Sequence, residues 1–417
     1  MTDLAFVPLQ REAFDPVAEL GRMRAEQPVT KLEFPFGISA WLVTRYDDVR
    51  TVLMNATDFS NDFANLTKAT GGLADEDKDP GGLGFADPPK HTRLRRLLTP
   101  EFTVRRLQRL IPRIEAVIDE QLDAMEQARA AAPDAPVDLV GQFAVAVPSL
   151  VISELLDVPV ADREAFTRLS AGRFDLFGGM FDSLDAMSES LVFMSELVSQ
   201  QRAHPGDGLL GAIIREHGDA ITDRELAGLA DGVLVGGHET TASMLAMGAV
   251  LLLQSPEAAA VMRSGDADAV QQLVEELLRY LTVVQVAFPR FARTDVQVGG
   301  VTIPAGSMVL CSLSGADRDP ALPAAGRPTE AAASGCPAHR GRSLEEFNPH
   351  RAATAHLAFG HGIHRCVGAE LARIELRIAY PRLLRRFPEL RLAVPPRDLT
   401  FRELSIVHGL DRVPVTW

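Results

Sequence analysis

One short segment carries more chemistry than any other in the chain: Phe359-Gly360-His361-Gly362-Ile363-His364-Arg365-Cys366-Val367-Gly368. A single cysteine stands at the entrance to a strongly helical run, with glycines at 360, 362 and 368 around it. Glycine tolerates positive φ and lets a backbone come close to a bulky planar group. A helix beginning just after Cys366 aims free N–H groups and its positive dipole end at the sulfur, which lowers the thiol pKa. That is what a permanent thiolate ligand needs. His364 and Arg365 add nearby donors. The alternative is a small, inert thiol buried at a helix start.

A second segment, Gly236-Gly237-His238-Glu239-Thr240-Thr241, sits inside a long helical run. Two adjacent glycines in mid-helix cost about 1 kcal/mol each relative to alanine, so something lies close to the backbone there or a neighbouring helix packs on it. A carboxylate and a hydroxyl beside that weak point can hold waters and pass protons. Glu276 and Arg279 stand at i and i+3, hence on one helix face; such a pair is usually a surface ion pair worth under about 1 kcal/mol. His91 and Arg95 are four apart and also share a face. Pro88 and Pro89 suit the start of their helix. Arg290 falls on a strand-like segment, Phe288–Ala292, and His356 lies three residues before Phe359.

Together these segments resemble the cytochrome P450 family. Phe359, Gly362, His364, Cys366 and Gly368 match its haem-binding signature, Phe-x-x-Gly-x-His-x-Cys-x-Gly, and further motifs follow in the family's order from Trp41 to the C-terminus. The resemblance implies a haem-thiolate monooxygenase fold and haem b (iron protoporphyrin IX), with Cys366 as the iron ligand. Gly236–Thr241 is similar to the family's central-helix motif, Ala/Gly-Gly-x-Asp/Glu-Thr-Thr/Ser. On that match Glu239 and Thr240 are the catalytic acid–alcohol pair, and Gly236 and Gly237 face the haem and the oxygen pocket. The resemblance assigns His91, Arg95, Arg290 and His356 to the haem propionates. It makes Glu276, Arg279 and Arg351 a structural trio. It places substrate against Phe85, Phe174, Leu234, Val235, Val283, Val284, Val286, Ala287, Ile406 and Val407. A mostly apolar lining of that kind suits a lipophilic or aromatic small molecule, although apolar residues at helical spacing are often plain core.

The elements that must position these residues are mainly helical. Helical patterning covers Tyr46–Met54, Thr92–Leu98, Arg105–Ala128, Phe143–Leu156, Arg163–Arg173, Ser183–Arg202, Asp207–His217, Asp223–Leu253, Asp268–Tyr280 and about Val367 to Arg386. Thr222 and Glu225 form a capping box for the longest of them. Trp41–Thr44, Phe288–Ala292, Val296–Ile303 and Met308–Ser312 read as strands, with Gly299-Gly300 and Pro304-Ala305-Gly306 as turns, and the tail after Leu390 alternates like short strands. The stretch from Phe63 to Phe85, rich in Gly and Asp, reads as a mobile loop. The chain is expected to form a single domain over residues 1–417. Residues 321–346, heavy in Ala, Pro, Gly and Arg and containing Cys336, read as a surface insertion longer than the family's usual connection.

With 417 residues, 46% hydrophobic and 24% charged, the chain can bury a large core. It has no apolar stretch of the length that spans a membrane and no secretion signal at its start. Three scattered cysteines make no disulfide framework, which favours a reducing cytoplasm. A net charge of −14 argues against nucleic acid as a partner. No flavin, nicotinamide or iron–sulfur motif is present, so electrons from NAD(P)H must come through a separate reductase and ferredoxin. Arg365, Arg373, Arg377, Arg382, Arg385 and Arg386, with Arg93 and Arg96 nearby, offer a basic landing site for an acidic ferredoxin; a solvated helix face is the alternative. Oxidative coupling or ring formation, and a haem-based ligand binder without turnover, are the rival functions.

Overall fold

From Ala242 to Leu252 the long run that follows Thr222 is almost wholly apolar, the mark of a helix end buried all round. It forms the longest helix of the computed structural model, which describes residues 4–69, 82–169, 180–323 and 343–417. Eight helices position the site: α1 (Tyr46–Met54), α2 (Lys90–Leu98), α3 (Ile111–Ala131), α4 (Ala146–Leu156), α5 (Met180–Ala203), α6 (Asp223–Gln254), α7 (Ala267–Leu281) and α8 (Ala369–Arg386). Helix α6 packs against α4, α5, α7 and α8, and α8 also lies on α3. At the start of α6 the Thr222 hydroxyl accepts the Glu225 N–H at 3.3 Å while Glu225 accepts the Thr222 N–H at 3.1 Å. Two of the four N–H groups that a helix start leaves unpaired are thereby satisfied.

The largest piece of the minor β portion is a five-stranded sheet: β1 (Val29–Glu33), β2 (Ser39–Val43), β3 (Phe59–Ser60), β4 (Arg290–Ala292) and β5 (Met308–Cys311), in the order β1-β2-β5-β4-β3. Strand β5 runs parallel to β2, with Met308 opposite Ala40, and antiparallel to β4, with Val309 opposite Arg290. The sheet thus carries Arg290 into the interior, where it is 4% exposed. Val296–Val298 and Val301–Ile303 form a hairpin whose turn residues Gly299 and Gly300 both have positive φ, as a two-residue turn between right-twisted strands requires.

Several boundaries differ from the sequence expectation. The run Arg105–Ala128 is two helices, Val104–Leu107 and α3, because Pro112 lacks an N–H and so suits a first turn. The segment before α4 opens as a π-helical turn, Val140–Ala144. The expected loop from Phe63 begins with a helix, Phe63–Ala69, whose Phe63 is buried; of the rest, 70–81 lie outside the described residues. So do Phe174 and most of the 321–346 insertion, including Cys336. Among the described residues no single helix is long and apolar enough to cross a membrane; a pair bent by 113°, α6 with Pro256–Ser264, passes by composition, and most of α6 is buried core.

Candidate active site

The cysteine loop is closed on itself: the Cys366 N–H donates to the Phe359 carbonyl at 2.9 Å. The Phe359 ring lies beneath the Arg373 guanidinium of α8, 4.6 Å from ring centre to carbon. Gly362 takes φ +71°, and a Cβ there would stand 2.3 Å from the Leu53 carbonyl in the last turn of α1. Only glycine lets the loop press that closely on α1. The Gly368 N–H points at the Cys366 sulfur just before α8 begins at Ala369. Burial pushes the Cys366 thiol up, outweighing that N–H and the charges of Arg95, Arg365 and Arg373. The helix end alone therefore does not make the thiolate expected from sequence. A metal cation does so directly, because a coordinating thiol is deprotonated on binding.

Next to this loop four nitrogen-bearing side chains crowd together. His91 and His364 lie ring to ring at 4.2 Å, and the charges of Arg95 and Arg290 act on both. Burial and then Arg290, His91 and Arg95 push His364 down to about 3. Burial first, then neighbouring cations, also lowers His91. Both ring nitrogens of His91 are buried without a hydrogen-bond partner. Unpaired buried nitrogens amid like charges are costly, and an anion with several acceptor oxygens removes both penalties. A haem with its two carboxylates fits this donor set, with Cys366 alongside to hold the iron. His356 does not belong to it. Its Nε2 is 3.0 Å from Glu275 and its Nδ1 takes the Ala358 N–H at 3.3 Å, so both nitrogens are occupied on the α7 side. The expectation that His356 reaches a propionate is corrected accordingly; His364 completes the cluster.

Helix α6 presents one open strip. At Gly232 and Gly236 an added Cβ would meet no atom within 4 Å, and Thr240 continues the strip at the next i+4 position. Gly82 roofs its near end, since a Cβ there would stand 2.7 Å from the Gly228 carbonyl. Gly237 points elsewhere: its Cβ would sit 2.5 Å from Ile152 Cδ1 of α4. Successive helical residues are rotated by about 100°, so the two glycines cannot share one face. Gly237 is a helix-packing glycine, and the expectation that it faces the haem pocket is corrected. The Thr240 hydroxyl donates to the Gly236 carbonyl at 2.6 Å. Glu239 is 6% exposed and accepts from Arg402 Nη1 at 2.6 Å. Sequence reading missed Gly232, which the four-residue spacing before Gly236 could have revealed. It also missed Arg402, which lies 163 positions from its partner and carries no local signal.

The trio Glu276, Arg279 and Arg351 is assembled and, at its centre, buried rather than superficial. Arg279 donates to both Glu276 oxygens at 2.7 and 2.9 Å and to the carbonyls of Asp317 and Leu344. Arg351 Nε and the Asn348 N–H both reach Glu276 Oε1. Of the residues expected around substrate, Phe85, Val235, Val284, Ala287 and Ile406 keep accessible surface, whereas Leu234, Val283, Val286 and Val407 are buried. Leu234, Val283 and Val407 belong to the main core. Val284 bridges Val407, and the Phe85 ring packs edge-on between Phe63 and the half-exposed Phe288.

The basic face behind the cysteine is less basic than its sequence. Arg373 pairs with Glu275, Arg377 with Glu370, Arg382 with Glu115 and Asp119, Arg386 with Asp123 and Glu126, and Arg93 with Glu225. Acids from α3, α6 and α7, and Glu370 of α8 itself, thus offset most of these arginines. Among the described residues, Arg365, Arg96, Arg105, Arg109 and, on α8, Arg385 are exposed and form no ion pair with an acid. Arg105, Arg106 and Arg109 line a surface hollow with Pro100 and Thr103.

Comparison with known proteins gives a consistent answer. The family model described as Cytochrome P450 matches residues 33–204, 266–324 and 339–402. Cytochrome P450 FAS1 of Rhodococcoides fascians is 40% identical over 424 residues, covering 100% of both chains. The structure of P450 StaH from glycopeptide antibiotic A47934 biosynthesis superimposes with a TM-score of 0.82 at 38% identity, covering 99% of each chain. OxyC, a cytochrome P450 implicated in an oxidative C–C coupling reaction during vancomycin biosynthesis, gives 0.82 at 36% identity, with 98% of this chain and 96% of that one covered.

Proposed function

This chain belongs to the cytochrome P450 family and is a cytochrome P450 monooxygenase of secondary metabolism, and we propose that it hydroxylates or epoxidises a lipophilic or aromatic small molecule. The observation that carries the haem assignment is the buried, unpaired His91 ring amid Arg95, Arg290 and His364, with Arg95 also acting on Cys366. These residues would hold the propionates, and Cys366 would hold the iron, within the loop of Phe359, Gly362 and Gly368. A haem bound there would supply a redox-active iron for oxygen chemistry, with Cys366 as its electron-donating thiolate ligand. Gly232 and Gly236 keep the α6 strip clear for dioxygen and substrate. Thr240, whose own hydrogen goes to the Gly236 carbonyl, offers its oxygen lone pairs toward the strip. Glu239, one residue before it, is the acid that reloads the relay. Phe85, Val235, Val284, Ala287 and Ile406 form the apolar wall.

Electrons start on NAD(P)H and arrive through a reductase and an acidic ferredoxin. Their landing site is the set of exposed arginines at 96, 105, 109 and 365, which meet no acid among the described residues, not the acid-paired Arg373, Arg377, Arg382 and Arg386 of α8. The test of the haem assignment is a reduced, CO-bound difference spectrum. A thiolate-type Soret band that Cys366→Ser abolishes supports the reading; its absence from the wild type sinks it. Oxidative coupling is the second reading, favoured by the likeness to OxyC and StaH. Product from ¹⁸O₂ separates the two: label in the product is monooxygenation, and unlabelled cross-linked product is coupling.

A further inference from the structure

Glu239 does not stand alone against α6. Residues 400–411 of the tail fold back on themselves, with Phe401 bridging Leu410 and the Arg402 N–H donating to the Gly409 carbonyl at 2.9 Å. This turn is seated flush on α6. A Cβ at Gly409 would stand 2.6 Å from the Ser243 hydroxyl, one helical turn beyond Glu239 and on the same face. The seating brings Arg402 Nη1 to 2.6 Å from Glu239 and leaves Arg402 Nε 3.5 Å from Asp411. Side-chain exposure rises along this chain of charges, from 7% at Glu239 through 25% at Arg402 to 60% at Asp411. The other titratable groups nearby, His238 and His408, are held neutral by burial, at about 4 and about 3. Among the described residues, Arg402 is therefore the cation that faces the relay acid.

We propose that Arg402 is the positioning residue of the proton relay: it holds Glu239 ionised and turned toward the tail, and with Asp411 it marks where protons enter from solvent. The proposal rests on the acid–alcohol reading of Glu239 and Thr240. Each pass of the relay moves one proton from water at the Asp411 end onto the Glu239 carboxylate, and two passes, matched by two electrons, serve one turnover. Protonation weakens its bond to Arg402, and the neutral acid then hands the proton inward to the Thr240 oxygen, whose own hydrogen passes to the dioxygen being reduced, so that Glu239 returns to its carboxylate. One electron from the redox partner matches each proton.

The test compares Arg402→Gln, Arg402→Lys and the exposed neighbour Arg412→Gln with the wild-type holoenzyme. Three quantities are measured: the share of reducing equivalents lost as peroxide, the solvent isotope effect on turnover, and the infrared carboxyl spectrum. Arg402→Gln should raise the peroxide share roughly 10-fold, the fold-change of one hydrogen bond between charged groups. It should change the isotope effect and bring up a protonated-carboxyl band at neutral pH that Glu239→Gln removes. Arg402→Lys should restore most of the wild-type values, and Arg412→Gln should keep all of them. If Arg402→Gln does not fold, Asp411→Asn replaces it; with Arg402 left to Glu239 alone, the peroxide share and isotope effect should both move. If Glu239→Gln shifts them while the Arg402 and Asp411 variants do not, the relay stands and this proposal is overturned. A silent Glu239→Gln overturns both.

Discussion

The two neighbouring glycines of α6 should respond to alanine in opposite ways, although they are one residue apart. Gly236→Ala adds a methyl where no atom lies within 4 Å, so only the helix-propensity gain of about 1 kcal/mol remains. Gly237→Ala earns the same gain but drives its methyl to 2.5 Å from Ile152 Cδ1 and 3.0 Å from Cγ1, beside a side chain that is 2% exposed. Overpacking of that kind costs about 1–3 kcal/mol, and this is the expected difference between the two variants. Ile152→Val removes Cδ1 and alone costs about 0.5–1.5 kcal/mol. In combination with Gly237→Ala it should return at least about 1 kcal/mol as a coupling energy. Urea unfolding followed by circular dichroism, with an unchanged m-value, reads all four numbers. The open strip adds a second contrast: Gly236→Ala should weaken spectral binding of a bulky azole, while Gly237→Ala should leave it alone. Equal stability changes for the two alanines, or no coupling to Ile152→Val, would refute the assignment of the two faces.

Further predictions concern the scaffold and the surface. Glu276→Ala strands the buried Arg279 and should cost about 3–5 kcal/mol by chemical denaturation; a loss below about 1 kcal/mol would place the pair in the surface class. For Glu275, burial raises the carboxyl, but hydrogen bonds from His356 and Arg373 and their charges outweigh it and bring it from 4.5 to about 2. A folded value below the unfolded one gives stability that is complete above about pH 4.5 and lost as pH falls toward 2. Glu275→Gln should flatten the acid limb of the stability curve in that window, and an unaltered limb would contradict the ion-pair account. Arg365→Glu and Arg105→Glu should raise the KM for ferredoxin and reduce its salt dependence, whereas Arg382→Glu, whose cation is already met by Glu115 and Asp119, should change it little. Equal effects at the three positions would return the landing site to α8.

What the sequence revealed was local. The capping box at Thr222, the full extent of α1 and the glycine turn at 299–300 are all written in neighbouring residues, and the structure forms each of them. Contacts between distant segments were not legible in the same way. Nothing around His356 announces that Glu275 will take its ring, and nothing near Glu239 points to Arg402. Arg373, Arg382 and Arg386 of α8 looked unopposed because their acids lie on α3 and α7, brought in only by packing. Gly237 shows the same limit at close range. Its sequence context cannot say whether the missing side chain makes room for a cofactor or for the next helix, and here that space belongs to Ile152.

The parallel pairing of β2 with β5 also sets a timetable for the chain's biosynthesis. About 265 residues separate Val43 from Met308. At about 5–20 residues per second, a ribosome needs roughly 15–50 s to deliver the partner strand. During that interval β1 and β2 can pair as a hairpin, but the inner edge of β2 stays open while most of the helices are being made. An open edge carrying apolar residues such as Leu42 and Val43 is a template for pairing with another nascent chain. Ribosomes crowded on one message are therefore where misassembly of this protein should begin. Chains stopped before Met308 should be held by chaperones, and those that pass Cys311 should be released.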